Sequence, residues 1–499
     1  MAAMKKFHEL DIPHSGFYAE GAGATFFGEY KKEELYKVVS FGERHGFKVF
    51  SWQFPNMTQE LAQELLPECP KEELPITRNK NDEEEKLPVY IDFSHPRAKE
   101  LLAAQWKDRM DAGIRGSMVD FGDVVPDEAV FYDGRRGDEM HNAYAYQYAK
   151  NYRELFEQKY GDDHVLYTRG AAPGSQHFAC QFGGDQLTSF QGLKYAIAGG
   201  LSAAASGLPF WGVDAGGYDG FPDQETYLRW TEYAAFCPLM RFHGTEPREP
   251  WEYDAFTVKV YRYYTWLREN LRPYIVSVAA EAHKLGIPMM RPLAMMYPED
   301  QEATKVWDEY LFGEDLLVAP VSDETEEREI YFPEGRWISL WNLNDEISGP
   351  VQRSVEVPID KIPVYIREGS FLPLRLNESL KLGESMSESE TEMILAVVPQ
   401  NDSIVKETLY ERSGAKTCCG MEKNGETIQL QISGKTAELY VMLAGIHWKN
   451  TEAIVNGRTL TKVTAREGLY FTEGYLELEE GILVKINPSA ESVIKIQKK

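Results

Sequence analysis

The chain has 499 residues, 43% hydrophobic and 12% aromatic, which is ample for more than one packed core and unlike a disordered chain. Its formal net charge of −26 repels nucleic acid and anionic membrane surfaces alike. No apolar run is long enough to span a bilayer, and the start, MAAMKKFHELDIPHSG, lacks the apolar core of a signal peptide.

The five cysteines (Cys69, Cys180, Cys237, Cys418 and Cys419) are odd in number, scattered and without zinc-ligand spacing, so reduced thiols in a cytoplasm are expected. The ten histidines show no ligand spacing either. No metal and no cofactor is expected.

From the start to about residue 300, short apolar strands alternate with amphipathic helices. The expected strands are 11–18, 47–52, 114–120, 164–169, 178–183, 208–213 and 288–293. Helical periodicity covers 31–45, 96–112, 140–159 and 256–285. Such alternation implies parallel pairing, and polar residues gather at the C-terminal ends of the strands, where a (β/α)8 barrel keeps its active site. Seven strands are recognisable rather than eight. A doubly wound sheet is the alternative, but no Gly-rich phosphate loop follows a first strand.

The charged segment 71–88, with two prolines, reads as a solvated excursion. After residue 300 the rhythm becomes β. Residues 327–341 and 427–443 alternate with period two, the second around a Ser-Gly-Lys turn. The expected domains are a barrel over 1–300, a proximal β-sandwich over 301–376, an acid- and serine-rich linker over 377–392, and a distal β domain over 393–499.

Chemistry-bearing residues fall at the strand ends. GIRGSMVDFGD (Gly113–Asp123) is an apolar strand that ends in Asp120 and turns through Phe121, Gly122 and Asp123. QFGGDQ (Gln181–Gln186) repeats the idea with Asp185. With 79 acidic residues, one such Asp is more often a cap or turn former than a catalyst. The company matters more. HVLYTRGAAPGSQ ends a strand in Arg169, LPFWGVDAGGY supplies Trp211 and Asp214, and FCPLMRFHG supplies Arg241 and His243. Acids, planar donors and flat rings together compose a sugar site. Two acids beyond parallel strands are what glycosidic cleavage requires, one to attack and one to protonate the leaving oxygen.

In order, YIDFSHPRAKELL, DFGD, TRGAAPGSQ, GGDQ, GLPFWGVDAGGY, PLMRFHG, MRPLAMMYP and DEYLFGEDLLVAPV resemble glycoside hydrolase family 31, the retaining α-glycosidases and their relatives. The resemblance covers nearly the whole chain and weakens after about residue 380. It implies a TIM-type barrel followed by two small antiparallel β-sandwich domains. It implies Asp120 as nucleophile and Asp185 as acid/base, with carboxyls roughly 5–5.5 Å apart. Arg169, Asp214 and His243 match positions that hold or frame the innermost sugar, and Trp211 and Phe182 become candidate walls. For Asp214 the residues leave open a role in fixing a loop, and Arg241 reads as an ion-pair support. Asp308 and Glu309 read as a stitch between barrel and β module.

The sequence also departs from that family. Members normally carry an N-terminal β-sandwich and a first barrel strand before the segment that FHELDIPHSGFYAE (Phe7–Glu20) matches; here it starts almost at Met1. The expectation is a fragment or split product, a missing part supplied by another chain, or an N-terminal helix that packs differently; a homo-oligomer is a separate expectation. Glu20 is a candidate for the acid that usually grips outer hydroxyls, with a solvated loop acid as the alternative, and Asp123 stands where many members have Glu. DFGD and GGDQ are nearest the sulfoquinovosidase branch, but no Arg–Trp pair awaits a sulfonate, so a neutral sugar is expected. The resulting reading is a cytoplasmic, exo-acting α-glycosidase acting on small glycosides. A transglycosylase and a non-catalytic carbohydrate-binding remnant are the alternatives.

Overall fold

The computed structural model describes residues 1–19, 32–78, 89–387, 392–401, 403–434, 438–470 and 472–499. Glu20 lies outside them. The chain divides into two compact units, Met1–Gly184 and Asp185–Lys499.

In the first unit, strands β1 (Gly16–Tyr18), β2 (Lys48–Gln53), β3 (Gly116–Val119), β4 (Val165–Thr168) and β5 (Cys180–Phe182) run parallel, each beside the next. Helices Lys32–Arg44, Ala98–Ala112 and Gly137–Tyr160 make crossovers, as parallel pairing demands. Side chains alternate across the sheet. Val49, Val119, Leu166 and Ala179 enter a core with Leu35, Val39, Leu102, Trp106 and Tyr152 from the helices. Trp106 is fully buried and donates from Nε1 to the Tyr152 hydroxyl at 3.1 Å, so its polar atom is satisfied inside an apolar core. By the same register Phe50, Trp52, Met118, Tyr167 and Phe182 take the face turned away from the helices. Asp120 and Arg169, one residue beyond β3 and β4, continue that face.

The second unit opens with helix Phe190–Ala205, then β6 (Trp211–Asp214), helix Gln224–Ala235 and β7 (Leu239–Arg241), which pairs parallel with β6. Its helices start where the sequence places side-chain acceptors. Ser189, Asp223 and Asp254 each accept from the backbone N–H three residues on, at Gly192, Thr226 and Thr257. The apolar stretch 256–285, expected as one helix, is two: Ala255–Asn270 and Arg272–Leu285, parted where Pro273 enters at the first turn of the second.

Three antiparallel sheets follow. The first has the order Met290–Pro292, Tyr310–Phe312, Leu316–Val318, Val364–Arg367, Glu327–Ser339, Glu346–Glu356. The second joins Phe371–Leu376, Glu392–Val397, Leu439–Ala444, Gly481–Ile486 and Gly474–Glu477, with one parallel pairing inside it. The third joins Ile404–Tyr410, Lys416–Asn424, Thr427–Ser433, Glu491–Lys498, Thr451–Val455 and Arg458–Thr459.

Several expectations need correction. The count of seven parallel strands stands among the described residues, but its last member does not. The expected strand 288–293 contains Met290–Pro292, which pairs antiparallel with Tyr310–Phe312 in the first C-terminal sheet. The seventh parallel strand is β7, only three residues long inside FCPLMRFHG, too short to show an alternation of its own. The segment 377–392 does not join two β modules. It connects Phe371–Leu376 to Glu392–Val397, antiparallel neighbours in one sheet, with Leu376 opposite Glu392. Its described part is anchored: Gly383 donates its N–H to Asn270 at 2.7 Å.

The stretch 427–443 is not one hairpin either, since Thr427–Ser433 and Leu439–Ala444 belong to different sheets. Leu439–Ala444 is buried along nearly its whole length, which a two-sided packing requires and a surface hairpin does not. Asp308 and Glu309 tie strands of the first C-terminal sheet through Arg328, at 2.7 and 3.7 Å. Burial pushes the Glu309 carboxyl up to about 8, against the pull of Arg328. In the excursion 71–88, Leu74 and Ile76 are buried, so its described part is packed rather than solvated.

Candidate active site

In the first unit the chain turns sharply after β3. Asp120 is 4% exposed, and each carboxyl oxygen has a donor. Oδ1 accepts the backbone N–H of Phe121 at 2.8 Å and lies 3.5 Å from Nε of Arg169; Oδ2 accepts Nε1–H of Trp52 at 3.1 Å. Its own N–H donates to the Gln53 carbonyl at 2.7 Å, which locks the turn to the end of β2. Phe121 sits at φ 56°, a left-handed conformation unusual for a bulky residue, and such strain persists only where surroundings enforce it.

Those surroundings are visible. The Phe121 ring lies under the Arg169 guanidinium, 4.1 Å from its carbon to the ring centroid, and Trp52 and Phe54 stand edge-on at 6.2 and 6.5 Å. Arg169 also reaches Asp123, Nη2 to Oδ1 at 3.5 Å. Asp120, Arg169 and Asp123 are therefore brought together, with Arg169 between the two acids. Phe182 shares the face but is 2% exposed, packed edge-on to Tyr167 at 6.0 Å.

In the second unit Asp185 is exposed, and the loop after it is pinned through its neighbour. The Gln186 side-chain oxygen accepts the Asp214 N–H at 3.1 Å, and the Gln186 carbonyl accepts from Tyr218 N–H at 2.8 Å. Asp214 ends β6 opposite Arg241 in register, and Nη2 of Arg241 pairs with Oδ1 of Asp214. Asp214 is fully buried and Arg241 is nearly so, so the pair exists by mutual neutralisation; removing either partner strands a charge. Arg241 thus supports, as expected, and the carboxyl of Asp214 is spent on it. His243 follows β7 on the same face as Arg241, its ring 5.3 Å from that of Tyr218. Burial, reinforced by the charges of Arg241 and Arg248, pulls its imidazole down to about 4. It is neutral at ordinary pH and offers one donor and one acceptor, which suits a hydroxyl.

Trp211 is placed elsewhere than expected. It lies three residues from Asp214 and therefore on the opposite face, with its ring over Gly199 and Gly200 of helix Phe190–Ala205. It packs helix to strand. Period-two counting along WGVD carried that signal. Reasoning from motifs also missed Trp52, Gln186 and Arg248; only strand numbering pointed to Trp52, which precedes Asp120 in the same face. Among the described residues, no group of three or more His, Cys, Asp or Glu could hold a metal ion, and no helix is long and apolar enough to cross a membrane.

The description "Glycosyl hydrolases family 31 TIM-barrel domain" fits residues 1–278, and "Glycosyl hydrolase family 31 C-terminal domain" fits residues 286–372. The chain belongs to glycosyl hydrolase family 31. An isomaltosyltransferase of Sporosarcina globispora is 32% identical over 430 residues, 81% of this chain and 39% of that protein. An α-xylosidase of Emericella nidulans is 32% identical over 294 residues, 57% of this chain and 38% of its own.

Among solved structures, a cycloalternan-forming enzyme from Listeria monocytogenes matches with a TM-score of 0.90 at 23% identity, over 100% of this chain and 52% of its own. A family 31 dextranase from Flavobacterium johnsoniae matches at 0.87 and 23%, over 100% of this chain and 68% of its own. These structures show the fold: the parallel strands are those of the family 31 barrel, and the antiparallel sheets those of its C-terminal part. The family 31 chain spans about two fifths of the length of these curated relatives.

Proposed function

We propose that this family 31 chain carries the catalytic part of a retaining, exo-acting α-glycosidase that removes a neutral non-reducing-end sugar from small α-glycosides. The observation that carries the reading is the carboxylate of Asp120, which is buried beside the left-handed turn at Phe121 and supplied with donors from three segments. Asp120 attacks the anomeric carbon, and Asp185 protonates the leaving oxygen and then takes a proton from the water that releases the sugar. Arg169 bridges Asp120 and Asp123 beside the sugar. His243, held neutral, offers a hydroxyl contact, and Asp214 fixes Arg241 beside it. Trp211 and Phe182 have no part in this reading, since both rings are committed to packing. Residues 1–300 supply the chemistry and the β modules brace it.

A second reading, transfer of the glycosyl group to a sugar hydroxyl through the same intermediate, is favoured by the isomaltosyltransferase, 32% identical over 81% of this chain. A panel of aryl α-glycosides, with and without sugar acceptors, tests both. The expected result is aryl release with the first-formed sugar in the α-configuration. Oligosaccharide formation at low acceptor concentration moves the assignment to transfer. Binding without turnover across the panel overturns both readings.

A further inference from the structure

One buried cation near the second unit's site has no role in the chemistry above. Arg248 is 6% exposed, and its guanidinium hydrogen bonds end on backbone carbonyls. Nε donates to Gly217 at 3.1 Å. Nη2 reaches Gly217, Tyr218 and Gly220 at 2.9, 3.0 and 2.6 Å, and Nη1 reaches Glu246 and Pro247 at 3.0 and 3.2 Å. A planar fork that gathers carbonyls from two loops fixes both at once, which a point charge cannot do.

The loops it gathers carry the site. The 214–220 loop begins at Asp214 and holds Tyr218, whose ring faces His243 and whose N–H is tied to Gln186, the neighbour of Asp185. The 243–248 loop begins at His243, and Gly244 lies so close over the guanidinium that a Cβ there would stand 2.4 Å from Nη2. Gly217 completes the contact: at φ 79°, a Cβ on it would stand 2.6 Å from the Leu187 carbonyl and the Thr188 Cα. Thr245 closes the ring, donating its N–H to Tyr218 at 2.9 Å and accepting from Gly220 N–H at 2.9 Å.

We propose that Arg248 is the positioning residue of this site: its guanidinium clamps the 214–220 loop to the 243–248 loop, setting Tyr218 against His243 and, through Gln186, the backbone beside Asp185. The proposal rests on the glycosidase reading for its kinetic consequence and not for its structural one. Groups near His243 within the second unit include Tyr218 from the β6 loop, Arg241 from its own strand, with Asp214 neutralising Arg241, and Arg248 from beyond the following turn.

The test uses Arg248→Lys and Arg248→Met in the full chain, with folding checked by circular dichroism and thermal melting. Lysine keeps the charge and loses the fork; methionine loses both. The clamp predicts that both variants fold and that both release aryl sugar with kcat/KM down about 100-fold, most of it in kcat, as a displacement of about 1 Å produces. Lysine does not rescue. Activity within threefold of wild type for the folded fraction of Arg248→Lys overturns the proposal, since charge alone then suffices.

A second measurement needs no turnover: amide hydrogen exchange over residues 214–220 and 243–247. It should quicken at least tenfold in both variants and nowhere else in the second unit; unchanged exchange overturns the clamp. If wild type releases no aryl sugar, the glycosidase reading fails alone, and the exchange result still decides the clamp.

Discussion

At the tip of β3 a carboxylate is fastened directly, through an indole N–H, a backbone N–H and a guanidinium from three separate segments. After β5, Asp185 stands exposed, and the fastening runs instead through the backbone of its neighbours to Tyr218 and Arg248. In the first unit donors are spent on the acid itself. In the second they are spent on loops, while the buried acid, Asp214, is neutralised by Arg241. The difference fits the two tasks of the proposed reading. A nucleophile must be charged and aimed before the substrate arrives, so donors placed on its oxygens hold it. An acid that gives and regains a proton must exchange with water, and under the proposed reading the exposed Asp185 meets that need.

The largest expected effect breaks the first half of that comparison. Asp120→Asn keeps the shape and every donor but removes the attacking charge, and turnover of any aryl α-glycoside should fall by at least about 10⁴-fold while sugar binding measured by calorimetry persists. Residual activity within tenfold of wild type would place the nucleophile elsewhere. Asp185→Asn sharpens the second half. Its loss should depend on the leaving group, about 10²–10⁴-fold for an alkyl glycoside and far less for a nitrophenyl glycoside in the glycosylation step. Equal losses on both substrates would remove Asp185 as the acid.

The smallest effect concerns stability at the second unit's tip. His243 titrates near 4 in the folded chain and near its ordinary 6.5 when unfolded, so between those values the unfolded chain binds the extra proton. Stability therefore falls as pH drops from about 6.5 toward 4, by at most about 3 kcal/mol from this group. His243→Gln should flatten urea-melting stability across that window relative to wild type. An unchanged pH slope would mean that His243 titrates normally.

Much of this arrangement was legible in the residues. Asp120, Arg169, Asp185, Asp214 and His243 could each be set at a strand tip, because apolar runs ending in an acid or base beside glycine mark where a parallel strand stops. What was missed has physical causes. β7 is three residues long, and an apolar run that short carries no period, so the sequence pattern offers 288–293 as the seventh strand instead. The indole of Trp52 meets Asp120 from 68 residues away in sequence, a pairing that strand register creates and spacing does not announce. Trp211 reads as a candidate wall from its motif, while its three-residue offset from Asp214 puts it on the other face.

Arg248 sits in GTEPREPW, a stretch with no strand or helix period of its own. Its carbonyl acceptors belong to loops whose path no local pattern describes.

The amino-acid sequence by itself determined the family, the alternation of strand and helix, and the identity of the acids at the strand tips, because these rest on local periodicity and on motif order. Only the tertiary structure decided which acid is held by donors, which is neutralised, which aromatic rings pack against helices, and which cation secures the loops. Those outcomes depend on register and on close approach between segments distant in the chain. A carboxylate's role follows from the donors that reach it, and donors reach it only after the strands have paired.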